Sequence, residues 1–150
     1  MYNRQEASLL KKEFWTIFGQ YMRPVANSDG EPINWVNYKT GIRHIYFRLD
    51  ADRAGAAIAI ELHHPDAETR NEFFERFNQL KTMLLQITGE QWNWEAAATD
   101  ENGKSFSRIG ISIQNVSVFK KSDWPQIISF LKPRIIALDN FWNLVKDGFQ

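Results

Sequence analysis

The three histidines of this 150-residue chain, His44, His63 and His64, fall in one short stretch that also holds Arg48, Asp50 and Glu61. Imidazoles titrate near neutral pH and ligate metals, and carboxylates hold protons or hard cations. Acid–base or metal chemistry would be built from such a grouping. Two histidines and a carboxylate, His44, Glu61 and His63, make a workable ligand set for Zn²⁺. A second grouping lies just upstream, in the run Asn37-Tyr38-Lys39-Thr40-Gly41-Ile42-Arg43. There Lys39 and Arg43 supply charge for an anionic group, Tyr38 supplies a ring for stacking, and Gly41 permits close backbone approach. The run is not a Walker A loop, because the spacing and the second glycine are missing. The chain has no cysteine, which removes disulfides, thiolate metal sites and cysteine nucleophiles. It also has no Gly-x-Ser-x-Gly elbow, dinucleotide fingerprint or HExxH pair.

The element that must position the histidines is a β-hairpin over residues 42–64. Ile45, Phe47 and Leu49 alternate with His44, Tyr46, Arg48 and Asp50. After the turn Asp52-Arg53-Ala54-Gly55, Ile58, Ile60 and Leu62 alternate with Ala59, Glu61 and His63. This period of two predicts one apolar and one polar face. Core residues are odd-numbered on the first strand and even-numbered on the second, so opposed residue numbers must sum to an odd value. One such register sets Leu49 opposite Ile58, Tyr46 opposite Glu61 and His44 opposite His63. The neighbouring odd register sets Arg48 opposite Glu61. In either, His44 and His63 share a face with Tyr46, Arg48, Asp50 and Glu61, and His64 points the other way.

The remaining elements frame this hairpin. Residues 3–22 read as a helix opened by Asn3 with Glu6 three residues on, with Leu10, Phe14, Ile17, Phe18 and Tyr21 on one face. Pro24 ends it, and an irregular stretch follows to Gly41 in which Trp35-Val36 could add an edge strand. Asp66 opens a second helix carrying Phe73, Phe77, Leu80, Leu84 and Ile87, closed by Gly89. A second hairpin alternates Trp92, Trp94, Ala96 and Ala98 with a return strand of Ile109, Ile111 and Ile113, turning at Asn102-Gly103. Ser122 or Asp123 caps a last helix with the stripe Trp124, Ile128, Leu131, Ile135, Leu138, Trp142, Val145, which Pro133 should kink or split. The adjacent pairs Phe14-Trp15 and Phe141-Trp142 cannot both sit on a narrow stripe, so they need a wide core or a partner. The order α-ββ-α-ββ-α predicts a single α+β domain over residues 1–150. One antiparallel sheet of four or five strands would have helices packed on its apolar face.

Composition narrows the function classes. Lys+Arg and Asp+Glu balance at 18 each. A domain that holds nucleic acid through its overall field is usually strongly basic, so net charge does not indicate that class, although a local patch would still allow it. A net charge of zero does little to oppose self-association, and aromatics at 14% can serve a core or an interface. The polar, amphipathic N-terminus is no apolar signal segment and no run approaches membrane-spanning length, so the expected setting is the cytoplasm, without a membrane partner.

Two resemblances bear on these residues. Asp50 followed by Glu61-Leu62-His63 resembles the hairpin of the PD-(D/E)XK nucleases, in which an Asp and a later acid-x-Lys hold Mg²⁺ and activate water. His63 stands where that lysine would be. The resemblance implies Asp50, Glu61 and His63 as catalytic residues of a metal-dependent nuclease or other hydrolase. The stretches WVNYKTGIRHIYFRLD (35–50) and SVFKKSDWPQIISFLKPRIIALDNFW (117–142) resemble an uncharacterised bacterial domain-of-unknown-function family. Its members occur as short standalone proteins, the form this chain is similar to, and in longer relatives C-terminal to a nuclease-like region. That resemblance implies a bacterial, cytoplasmic α+β domain, an accessory to nucleic-acid enzymes, and carries no catalytic residues. The expectation that follows is a non-enzymatic binding module with a protein partner or itself as a homodimer. Its working surface would join the 37–43 loop to the hairpin's polar face. Lys39, Arg43 and Arg48 would take an anion, Tyr38 or Tyr46 would stack, His44 would lie beside them and Glu61 would orient the arginines. No cofactor is expected; Mg²⁺ or Zn²⁺ belongs to the competing hydrolase.

Overall fold

In the computed structural model, which describes residues 3–150, Asn3 and Glu6 form a reciprocal capping box that starts helix α1, Arg4–Met22. Each side chain bonds the other's backbone N–H, satisfying two donors that the first turn leaves free. Phe14, Phe18 and Met22, four residues apart, are fully buried. Tyr21, expected on that face, is instead exposed, with the Lys132 ammonium 4.7 Å from its ring centroid. The chain then crosses to the first hairpin, β1 (Ile45–Ala51) and β2 (Gly55–Leu62). No strand forms at Trp35-Val36. Trp35 is buried in a turn and its indole N–H donates to the Val25 carbonyl.

Asp66 caps α2 (Ala67–Gln79) by accepting the Thr69 N–H. The helix does not run through to Gly89 as its stripe predicts. Leu80, at φ −99° and ψ 9°, leaves the helical region, and α3 (Lys81–Thr88) begins afresh after it. Gly89 then ends α3 in the left-handed conformation that glycine adopts without a Cβ clash. Strands β3 (Asn93–Thr99) and β4 (Ser105–Gln114) form the second hairpin. The regular alternation expected of β3 is interrupted by a bulge between Glu95 and Ala98, where the Ser107 hydroxyl bonds the Ala96 carbonyl. The last helix, α4 (Trp124–Val145), has no side-chain cap, because the Asp123 carboxylate is used to accept the Ser117 N–H. It runs unbroken through Pro133.

The strand order is β1-β2-β4-β3, every neighbour antiparallel. Among the described residues the sheet has four strands, and α1 to α4 lie on one of its faces. Phe47 meets Trp142 of α4, and Trp94 meets Phe74 of α2, as edge-to-face rings. The core is wide enough to take both members of the Phe141-Trp142 pair, each almost wholly buried, while Trp15 packs partly buried at its margin. The opposite face carries Tyr46, Arg48 and Asp50 of β1 and Glu95 of β3, all exposed, and among the described residues no helix lies over them. Among the described residues no helix is long and apolar enough to cross a membrane.

Candidate functional site

The hairpin adopts the register that pairs Leu49 with Ile58 and Tyr46 with Glu61, so Arg48 faces Ala59 and Asp50 faces Ala57. On the open sheet face, His63 Nε2 lies 2.8 Å from Glu61 Oε1, and the Arg48 guanidinium is 3.8 Å from the same oxygen. The Arg48 guanidinium also sits 4.3 Å from the Tyr46 ring centroid. The imidazole of His63 stacks on Phe106 of β4, at 4.6 Å and 8°. Next to Glu61 in the register comes Arg108, which pairs with Glu95 of β3 through 3.2 Å and 3.3 Å contacts.

His44 departs from the expected arrangement. Strand β1 begins one residue later, at Ile45, and His44 has a left-handed backbone, φ 72°. The Thr40 hydroxyl closes the preceding loop by donating to the Ile45 carbonyl and accepting the Ile42 N–H, and this tight loop is where the chain turns into the strand. His63 N–H still donates to the His44 carbonyl, but the His44 ring is directed to His64, 4.8 Å away centroid to centroid. Burial, with Arg43, His64 and His63 nearby, lowers the His44 pKa below its ordinary value. His64 accepts the Asp66 N–H at Nδ1, and its carbonyl accepts from the largely buried Arg70 guanidinium.

These contacts decide which sequence groupings come together. His63 and Glu61 meet; His44 joins His64 instead, so the set His44, Glu61 and His63 does not converge. Asp50, four residues from Glu61 along the register, is about 13 Å away at the usual rise per residue, too far to share an ion with it. Its carboxylate accepts its neighbour's N–H, from Ala51. Among the described residues no three His, Asp or Glu side chains are grouped as ligands for one metal.

The 37–43 loop does not extend the hairpin's polar face. Tyr38 lies on the helical side of the sheet, stacked at 5.0 Å on Phe47, and its hydroxyl donates to Asp139 of α4 at 2.5 Å. Burial first, then the bond to Asp139 and its charge, raise the Tyr38 pKa far above the ordinary range, so the phenol stays protonated. The second Asp139 oxygen accepts the Ser28 N–H at 2.7 Å. This joins the loop to α4 around a cleft of about 310 Å³ that Lys39 also lines. Arg43, exposed, neighbours His44 rather than this cleft.

Sequence reasoning missed Asp139, Phe106 and Arg108. Asp139 carried a signal: it is the only acid in α4, four residues after Ile135 and three before Trp142, on the buried stripe. A carboxylate in that position needs donors from another element.

A family model described as "Domain of unknown function (DUF4268)" matches residues 10–146. The chain belongs to this family. An uncharacterized protein of Methanocaldococcus jannaschii is 29% identical to it over 73 residues, which is 49% of this chain and 17% of that relative. The chain therefore matches a small part of a longer archaeal protein. No solved structure matches this DUF4268 domain significantly.

Proposed function

We propose that this DUF4268 domain is a non-enzymatic interaction module, and that its open sheet face binds a second copy of itself. The observation that carries this reading is the charge order across that face. One row of paired residues runs Tyr46, Glu61, Arg108, Glu95 from β1 to β3. A two-fold axis parallel to the strands, between β2 and β4, lays β2 of one copy over β4 of the other. Glu61 then faces Arg108 of the partner subunit, and Arg108 faces its Glu61. In the next row Ala59 and Gly110 face each other, small against small, and in the row beyond Glu61 the His63 ring meets Phe106. A homodimeric interface of this kind must be self-complementary, and this face is.

Size sets the strength. Four strands of about seven residues present roughly 19 Å by 24 Å, well below the about 800 Å² per partner of a standard interface. The dimer is therefore weak and depends on concentration. The mixed signs of the face do not suit a phosphodiester backbone, which calls for a run of cations. A hydrolase would need Asp50, Glu61 and His63 to converge, and the register holds Asp50 apart.

Sedimentation across a concentration series tests the reading. Wild-type protein should move from monomer toward dimer at high concentration, and Glu61→Arg or Arg108→Glu alone should stay monomeric while keeping wild-type circular dichroism. An equal mixture of the two variants should associate again, since each then meets its opposite charge. A wild type that remains monomeric at every concentration, or single variants that dimerise unchanged, would sink the proposal.

A further inference from the structure

We propose that the cleft between the 27–40 loop and α4, on the helical side of the sheet and away from the self-association face, is a binding site for a small phosphorylated polyol of sugar-phosphate size. Its floor is the Asp139 carboxylate, 4% exposed as a residue and held in place by the Tyr38 hydroxyl and the Ser28 N–H. A buried carboxylate fixed by two donors keeps lone pairs for further donors, and the hydroxyls of a polyol supply them.

The walls are rich in hydrogen-bond donors for a reason that the turn chemistry dictates. The Asn27 side-chain oxygen accepts the N–H groups of Asp29 and Glu31, and the Asn34 oxygen accepts those of Val36 and Asn37. With both oxygens committed to the turns, each carboxamide is left with its NH₂ end, which has no protein partner among the described residues. Lys39, Lys146 and the exposed Asp29 line the same cleft, and among the described residues neither lysine is within ion-pair distance of a carboxylate. Asn143 adds another amide. On the walls the amide donors and two ammonium groups outnumber the single Asp29 carboxylate and call for an oxyanion, and a carboxylate acceptor on the floor calls for hydroxyls. One molecule that carries both is a phosphorylated polyol. The cleft volume of about 310 Å³ is at the lower end of small-molecule sites, which favours a single sugar phosphate over a dinucleotide.

Isothermal titration of the intact chain with ribose 5-phosphate, ribose and inorganic phosphate tests this. Ribose 5-phosphate should bind more tightly than either fragment. Lys39→Ala combined with Lys146→Ala should weaken it about tenfold or more, as expected for losing charge-assisted hydrogen bonds. Lys104→Ala, in the remote β3–β4 turn, should leave it unchanged. No heat from ribose 5-phosphate up to about 10 mM, where a millimolar Kd would register, overturns the proposal. So does inorganic phosphate binding equally well, or an unchanged affinity in the double lysine variant that still melts cooperatively.

Discussion

The bond from Tyr38 to Asp139 spans 101 positions of sequence and ties the irregular loop to the last helix. A buried carboxylate that loses a donor keeps its desolvation cost without the compensating bond. Tyr38→Phe should therefore lower unfolding stability by about 1–3 kcal/mol in urea titration. The same substitution should cost less in an Asp139→Asn background, because the charge that strengthens the bond is gone. Equal losses in both backgrounds would show that the charge on Asp139 does not strengthen the bond. His44 offers a second test. Burial first, then Arg43, His64 and His63, disfavour its charged form, so its folded pKa lies below 6.5. The unfolded chain then binds the proton more readily, and the associated stability is present above 6.5 and lost as pH falls through the folded value. An NMR titration should place His44 below 6.5, and His44→Gln should reduce the acid-side fall in stability; a His44 midpoint at or above 6.5 would contradict the pairing with His64. Tyr38 was singled out by residue type as a ring for a ligand. Its real partners, Phe47 and Asp139, were invisible because neither is near it in sequence.

At the scale of elements, local chemistry was the more legible part. The Asn3–Glu6 box, the Asp66 cap, the left-handed Gly89 and the hairpin register all follow from short-range rules, and all are present. What failed were places where neighbours override pattern. The stripe Phe73, Phe77, Leu80, Leu84, Ile87 is unbroken at Leu80, so periodicity could not signal the change of helix there. Pro133 neither splits nor ends α4. Proline removes the bond to the Ser129 carbonyl, but Pro133 and Ser129 are both on the exposed side, where water can satisfy that oxygen. Close approach between strands sets a further constraint. A Cβ built on Gly55 would lie 2.2 Å from the Ile113 carbonyl oxygen, a backbone atom that cannot turn aside. Gly55→Ala should cost about 3 kcal/mol or more by forcing β2 from β4, measured by chemical denaturation. A loss under about 1 kcal/mol, the ordinary range for a benign surface change, would mean that the strands separate easily.

For the whole molecule, the decisive fact is that the sheet has two unlike sides. Tyr38 and Lys39 of the loop and the hairpin's polar residues, close in sequence, lie on opposite sides of it. A single anion-binding surface joining Tyr38 to Tyr46 therefore gives way to two surfaces: an open face with alternating charge, and a cleft under the loop. The self-association expected of the open face rests on the partly exposed charges of Glu61 and Arg108, which salt screens beyond about 8–10 Å. Raising the ionic strength should shift the sedimentation profile toward monomer. Association that strengthens with salt would point to apolar contacts elsewhere on the surface.

Sequence by itself determined the α+β class, the hairpins, most caps and the face on which Tyr46, Arg48, Glu61 and His63 stand, because these depend on periods of two and 3.6 residues and on local turn geometry. It also placed all three histidines near one another. Only the tertiary structure decided that His44 turns to His64, that Asp50 stands apart from Glu61, and that Asp139 meets Tyr38. Each of these depends on how a side chain is aimed by a loop or a partner strand. Sequence spacing holds no information on that until the sheet and α4 have packed.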